Sequence, residues 1–403
     1  MTNHIKDTKT FCMFPWIHLN VIPTGNALVC CSSDYTYPVG NTRQNSISEI
    51  INSPTMCDIR KKMMSDEKIP HCEFCYRHDE AGHYSFRKWV NRDFGKYYDE
   101  VMADTNEDGS LKKFKMRYLD IRFSNICNFA CRMCGSEFSS TWAKEDKKFL
   151  PDRQIFIHAS EDDKLLNEVI EHIPHLEMMY FGGGEPLLME EHYVLLEEVI
   201  RQGRTDIMLR YNSNCSNFNF KDKDIFSLWD RFDSVEMSAS VDHYGEKAEY
   251  LRHGTDWAVV ESNLLKLRAK PNVKFGINTV LSFFNYLTLA DFYAYMKNLG
   301  LYNAVDYYHS LTKTSNPAWF NAQNLPKDLK LIGTRKNERF YDLIDHENYF
   351  SKQILREAID YTISEDRWET IKDEVRYNIK TIDERRGDDF LKTFPELKSM
   401  YED

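Results

Sequence analysis

No segment of this 403-residue chain is apolar for long enough to span a bilayer. Its opening residues, MTNHIKDTKTF, contain none of the apolar core of a secretory leader. Both absences make the cytoplasm the expected compartment, and there ten cysteines are poorly explained by disulfides. Long Lys/Arg runs are missing too. With a formal net charge of −11, the chain is not expected to bind nucleic acid, which calls for a basic field. Internal repeats and low-complexity tracts are also absent. What is there is an ordinary globular composition, 42% hydrophobic and 14% aromatic, with length enough for two or three domains.

The cysteines fall at 12, 30, 31, 57, 72, 75, 127, 131, 134 and 215. In a reducing compartment, metal binding, catalysis or plain burial must account for them. The densest group is FSNICNFACRMCGSEF (123–138), which spaces Cys127, Cys131 and Cys134 as Cx3Cx2C with no fourth cysteine nearby. Structural zinc is four-coordinate and closed, so three thiolates make half of such a site at best. Three thiolates on a [4Fe–4S] cluster instead leave one iron open to a small molecule.

From about residue 117 a strand–helix alternation begins. YLDIRF (118–123), LEMMYF (176–181), DIMLRY (206–211), SVEMSAS (234–240), VKFGINTVL (273–281) and AVDYYHSL (304–311) read as strands separated by amphipathic helical windows. Six such strands imply parallel pairing through right-handed crossovers, with ligands gathering at their carboxyl ends. Before them, WIHLNVI and ALVCC flank a PTGN turn as a β-hairpin, and one helix is expected over 46–65, starting at Ser46 or Ser48. A charged helix is expected around 84–102, NEDGS (106–110) is a linker candidate, and the chain beyond about 315 reads as helical. The domains expected are 1–110, 111–315 and 316–403.

Cx3Cx2C in the loop after the first strand of a βα series resembles the signature of the radical S-adenosylmethionine (radical SAM) enzymes. The resemblance implies a partial (β/α)6 barrel within an α/β fold, matching the six strands counted separately. It implies that Cys127, Cys131 and Cys134 hold a [4Fe–4S] cluster on which SAM is reductively cleaved. The resulting 5′-deoxyadenosyl radical takes a substrate hydrogen. Met133 stands where the family usually has an aromatic residue. GGGEP (182–186) looks like the family's GGE motif, with Gly183 and Gly184 beside SAM and Glu185 accepting from its amino group. SASVD (238–242) is similar to the SxDG segment, with Ser240 contacting SAM and Asp242 on the ribose side. EYLRHGTDW (249–257) offers Arg252 for the SAM carboxylate, and FGIN (275–278) lies beside the adenine.

The hairpin brings Cys12 and Cys30 together, and the helix after it can return Cys72 and Cys75 to the same region. Four thiolates suit Zn²⁺ or a fully ligated Fe–S cluster, and spacing alone does not choose. The pattern resembles a twitch domain, a shortened SPASM domain, which implies one auxiliary [4Fe–4S] cluster. Such units commonly follow the barrel, whereas this one precedes it. Cys31, pointing opposite to Cys30, and Cys57, on a helix, are expected to pack. Cys215, at the end of a strand, is open between hydrogen-atom donor, acid/base and buried neighbour of the site.

The resemblance implies an oxidoreductase or transformase acting on a peptide or protein, with an electron donor such as flavodoxin or ferredoxin. A small-molecule dehydrogenase or rearranging enzyme for an alcohol, sugar or nucleotide is the alternative. A non-catalytic metal-cluster binding protein is the reading from another class.

Overall fold

The computed structural model describes residues 8–82, 84–301, 307–313, 316–343 and 349–401, apart from the side chains of 307–309, 340–343 and 349–354. The chain packs as two compact units. One comprises Met1–Ile126, Pro151–Arg210 and Asp230–Ser234; the other comprises Cys127–Leu150, Tyr211–Trp229 and Val235–Asp403. Among the described residues no helix is long and apolar enough to cross a membrane.

In the first unit, β1 (His18–Val21) and β2 (Asn26–Leu28) form the expected antiparallel hairpin, and Gly25 turns it at φ +84°. β3 (Gly40–Asn41) pairs with β2. β4 (Tyr118–Ile121) lies parallel to β1, with His18 opposite Tyr118 and Asn20 opposite Asp120. β5 (Met178–Phe181) lies parallel to β4 on its other side. The strand order is therefore β5-β4-β1-β2-β3, and the hairpin extends the parallel sheet. Every residue of β1 and β4 is buried, as in a sheet covered on both faces.

The single helix expected over 46–65 is corrected to two. Ile47–Ile51 starts at a Ser46/Glu49 capping box, and Pro54–Met64 starts anew with Ser53 accepting from the Met56 N–H. Pro54 cannot donate within a continuing helix but suits a first turn, so the break falls at Asn52–Ser53.

β6 (Met208–Ser213) carries the chain from the first unit into the second. There β7 (Val235–Ser240), β8 (Val273–Leu281) and β9 (Tyr307–Lys313) run parallel in the order β9-β8-β7. Residues 304–306 of the strand expected over 304–311 lie outside the described residues. Helices Gly245–Leu251, Trp257–Arg268 and Leu289–Asn298 connect the strands. The fold is thus mixed α/β with parallel strands alternating with helices, the class of the partial barrel expected. The end of the chain is helical, including Lys327–Leu343, Tyr349–Ile363 and Trp368–Arg386. Its last turns pack Phe390 and Phe394 against Phe284, which is fully buried.

Candidate functional site

The cysteine loop is held by the residues that follow it. Ser139 caps the helix Ser140–Lys147 by accepting from the Trp142 N–H, and its hydroxyl donates to the Phe129 carbonyl at 2.6 Å. Ser140 and Thr141 both donate to the Cys127 carbonyl, and the Trp142 indole N–H donates to the Cys131 carbonyl at 2.7 Å. The loop's other side pairs antiparallel with Arg252–His253, placing Arg252 opposite Cys131. Carbonyls of this loop thus gain donors from the helix that follows it. These ties run through SSTW (139–142), a run that sequence reasoning passed over and that the helix-cap signal marks.

Cys131 is buried, while Cys127 and Cys134 are half-buried. A turn joins two of them, with the Cys134 N–H donating to the Cys131 carbonyl at 2.9 Å. Burial pushes the Cys134 thiol up to about 12, and the neighbouring Cys131 sulfur adds to the rise. Burial also raises Cys131, opposed by the Arg252 guanidinium, whose Nη1 lies 3.8 Å from its sulfur. Thiols held neutral by burial beside a fixed cation become thiolates when a cationic cluster replaces their protons. This three-sulfur donor set fits an iron–sulfur cluster with one iron lacking a protein ligand.

Arg252 is itself anchored. Its Nε lies 2.8 Å from Asp242 Oδ2, its Nη2 donates to Asp242 Oδ1 at 3.2 Å, and Asp242 is 1% exposed. Burial disfavours the Arg252 cation, but the charges of Asp242 and Cys131 and the hydrogen bonds to them together outweigh it and hold the guanidinium above its ordinary pKa. Asp242 also accepts the Val280 N–H at 2.7 Å, so this carboxylate ties the end of β7 to β8. Ser240, at the end of β7, is half-buried opposite Asn278 of the FGIN segment.

The GGGEP turn lies in the first unit, at the end of β5. A Cβ on Gly184 would stand 2.2 Å from the Ile126 carbonyl oxygen, and Gly183 has φ +107°. The close approach that requires glycine here is to the chain entering the cysteine loop. The Glu185 N–H donates to that same Ile126 carbonyl at 2.7 Å, while its carboxylate caps the following turn through the Leu187 N–H. Glu185 is 2% exposed. Cys215 is fully buried at φ +55°, its carbonyl accepting from Asn263.

In the first unit, Cys12, Cys30, Cys72 and Cys75 line one cavity together with Phe14, His71, Phe86 and Arg87. Burial raises the Cys12 and Cys30 thiols, and the other sulfurs of the set push them further. Burial likewise pushes Cys72 up to about 12. Arg87, paired with Asp79 at 2.6 Å, supplies a buried positive charge beside them. Among the described residues no three His, Cys, Asp or Glu side chains are grouped as a ready-made site for a single ion. Four thiols around one cavity are a donor set that fits an iron–sulfur cluster. Cys31 and Cys57 are both half-buried, and Cys57 Sγ lies 3.6 Å from the Asn52 carbonyl.

Residues 12–76 match the model of an iron–sulfur cluster-binding domain, SPASM, and residues 121–299 match that of the radical SAM superfamily. No curated protein matches the chain. Among solved structures, native anSMEcpe with bound AdoMet and the Cp18Cys peptide is similar at 16% identity and a TM-score of 0.37, over 54% of this chain and 58% of that one. Streptococcus suis SuiB bound to S-adenosylmethionine is similar at 13% identity and a TM-score of 0.37, over 70% and 62%. SuiB bound to the precursor peptide SuiA gives 13% and 0.36, over 82% and 69%. The chain thus spans under two thirds of the length of the first two.

Proposed function

The chain belongs to the radical SAM superfamily through residues 121–299 and carries a SPASM domain over 12–76, and on that premise we propose that it abstracts a hydrogen atom from a peptide or protein substrate. Membership of the superfamily makes it an enzyme. When bound, a [4Fe–4S] cluster on Cys127, Cys131 and Cys134 supplies the electron that cleaves the sulfonium of SAM to the 5′-deoxyadenosyl radical. A second cluster belongs to Cys12, Cys30, Cys72 and Cys75.

The observation that carries the reading is the Arg252 guanidinium, fixed by Asp242 and lying 3.8 Å from the Cys131 sulfur. Half-buried and pre-oriented, it is suited to the carboxylate of the SAM methionine. Asp242 acts through Arg252 by holding it. Gly183, Gly184, Glu185 and Ser240 are the remaining SAM-contacting residues in this reading, with Glu185 accepting from the amino group. The choice of a peptide rests on the SPASM resemblance, and that of an oxidoreductase with a flavodoxin or ferredoxin donor in the cytoplasm rests on the superfamily.

The test is anaerobic. Cluster-loaded protein given dithionite and SAM is expected to release 5′-deoxyadenosine, and Cys127→Ala is expected to release none. Wild-type protein with full iron and no 5′-deoxyadenosine would sink the reading.

A further inference from the structure

One face of the first unit's sheet carries buried polar atoms that no hydrogen bond from the described residues satisfies. His18 and Asn20 alternate along β1, and the register sets Asn20 opposite Asp120 of β4, so all three side chains share a face. Each is 0% exposed. His18 Nδ1 lies 2.9 Å from the Tyr118 carbonyl, which can only accept. The ring hydrogen therefore sits on Nδ1, and Nε2 presents a lone pair. Asn20 donates through Nδ2 to the Asp120 carbonyl at 3.3 Å, which leaves its Oδ1 as an acceptor. Among the described residues no hydrogen-bond donor reaches His18 Nε2, Asn20 Oδ1 or either oxygen of the Asp120 carboxylate.

Three adjacent side chains thus offer acceptors only. Arg122 forms an ion pair with Asp120, its Nε 3.5 Å from Oδ1, which offsets the carboxylate's charge but is too long for an ordinary hydrogen bond. A buried acceptor left without a donor costs about 1–3 kcal/mol, and more when charged. Such a cluster persists where a donor arrives from outside the fold. β5 pairs with β4 at Tyr118–Met178 and Leu119–Met179, and Tyr180, next along β5, lies within electrostatic reach of Asp120. Tyr180 and Arg122 are both partly exposed, so the face opens to solvent there. Cys31 lies within electrostatic reach of Asp120 and Arg122, and its neighbour Cys30 lines the four-cysteine cavity. The face therefore adjoins the SPASM site.

We infer that His18, Asn20 and Asp120 form a binding site for a nitrogen–hydrogen donor group of the substrate, an ammonium or a primary amide such as lysine and glutamine side chains carry. A carboxylate or phosphate would meet only acceptors on these three side chains, and an apolar group would leave them unpaired. The inference rests on the proposal that a substrate is modified here, and it names the group by which that substrate is held.

The test uses the full chain with both clusters loaded and titrates three probes calorimetrically: Nα-acetyl-lysine methylamide and its glutamine and norleucine counterparts. The lysine or the glutamine probe is expected to bind at least tenfold more tightly than norleucine, and the one that does identifies the donor as ammonium or amide. Asp120→Asn is expected to weaken that probe at least tenfold and Asn20→Leu several-fold, with melting curves establishing that the variants fold. Equal binding of all three probes, no binding of any, or preferred binding that survives both substitutions overturns the site. The 5′-deoxyadenosine assay on the same protein reports separately. Selective binding without that product leaves this site standing and sinks the proposed reaction, whereas product without selective binding sinks the site alone.

Discussion

Arg132, the residue between Cys131 and Met133, places one guanidinium nitrogen 2.6 Å from Asp383 and 2.6 Å from Asp388. It is fully enclosed, with its Nε on the Tyr250 carbonyl and its guanidinium 3.5 Å from the centre of the Tyr250 ring. The helical end of the chain therefore grips the cysteine loop from within the second unit. Arg386 adds a pair with Glu145 at 2.9 Å and stacks over Trp142, the residue that holds the Cys131 carbonyl.

Removing Asp383 leaves a buried cation with one carboxylate where it had two. It also strips the acceptor from Tyr250 Oη and the Phe390 N–H. Breaking a buried network of this kind costs about 2–4 kcal/mol. Asp383→Ala is expected to lower the denaturant midpoint accordingly and to speed hydrogen exchange across residues 127–138. A loss under about 0.5 kcal/mol would show that the clamp contributes little.

These particulars mark what the sequence disclosed and what it concealed. Strands built on β-branched and aromatic runs were legible, and β8 spans the same residues, 273–281, that the pattern marks. The three-cysteine loop was legible because its spacing is local. Arg132 and Asp383 are 251 residues apart, and no periodicity links them. Arg385 and Arg386 are adjacent in sequence with nothing local to mark their partners, and they meet Asp146 and Glu145 of the same chain, 239 and 241 residues away. The parallel pairing of β1 with β4, across 100 residues, was equally hidden, because a hairpin's pattern describes only its own two arms.

Gly184 gives a sharper local prediction. A methyl group there would stand 2.2 Å from the Ile126 carbonyl oxygen, a backbone atom that cannot swing aside. Gly184→Ala must displace the entry to the cysteine loop, and a drop in melting temperature of several degrees is expected, together with reduced iron content. Gly135, just past Cys134, has nothing among the described residues within 4 Å of the equivalent position. Gly135→Ala is therefore the control, and equal behaviour of the two variants would remove the steric argument.

Iron stoichiometry separates the two cysteine sets. Fully loaded protein is expected to hold about eight irons, four for each cluster. Cys72→Ala is expected to fall to about four while retaining the SAM-dependent product if the parallel strands remain folded. Cys31→Ser, next to Cys30 on the chain, is expected to keep about eight. Four irons accompanied by one zinc in the wild type would overturn the auxiliary-cluster assignment.

Arg252→Lys tests the forked cation. Lysine retains the charge but cannot span both Asp242 oxygens as the guanidinium does, at 2.8 and 3.2 Å. SAM binding, read by equilibrium dialysis on cluster-loaded protein, is expected to weaken about tenfold, or about 1.4 kcal/mol. Unchanged affinity would place the SAM carboxylate elsewhere.

Acid sensitivity follows from three buried histidines. His18, His192 and His243 are 0%, 1% and 2% exposed. Burial lowers their pKa values from 6.5 to about 4, about 3 and about 3 respectively. In the folded chain they stay neutral at pH 5, whereas in the unfolded chain each takes up a proton below about 6.5. The unfolded state then binds more protons, so stability falls as pH drops from about 6.5 towards 4 and is untouched by these groups above that range. Three protons correspond to a slope of up to about 4 kcal/mol per pH unit near pH 5. Carboxylates titrate in the same region, so the informative comparison is His192→Leu against the wild type. Denaturant midpoints measured from pH 7 to pH 5 are expected to show the variant losing about 2 kcal/mol less stability over that range, the difference in slope approaching about 1.4 kcal/mol per pH unit only near pH 5, whatever its stability at pH 7. Parallel curves would mean that His192 binds the same number of protons folded and unfolded, and its burial would then play no part in the acid response.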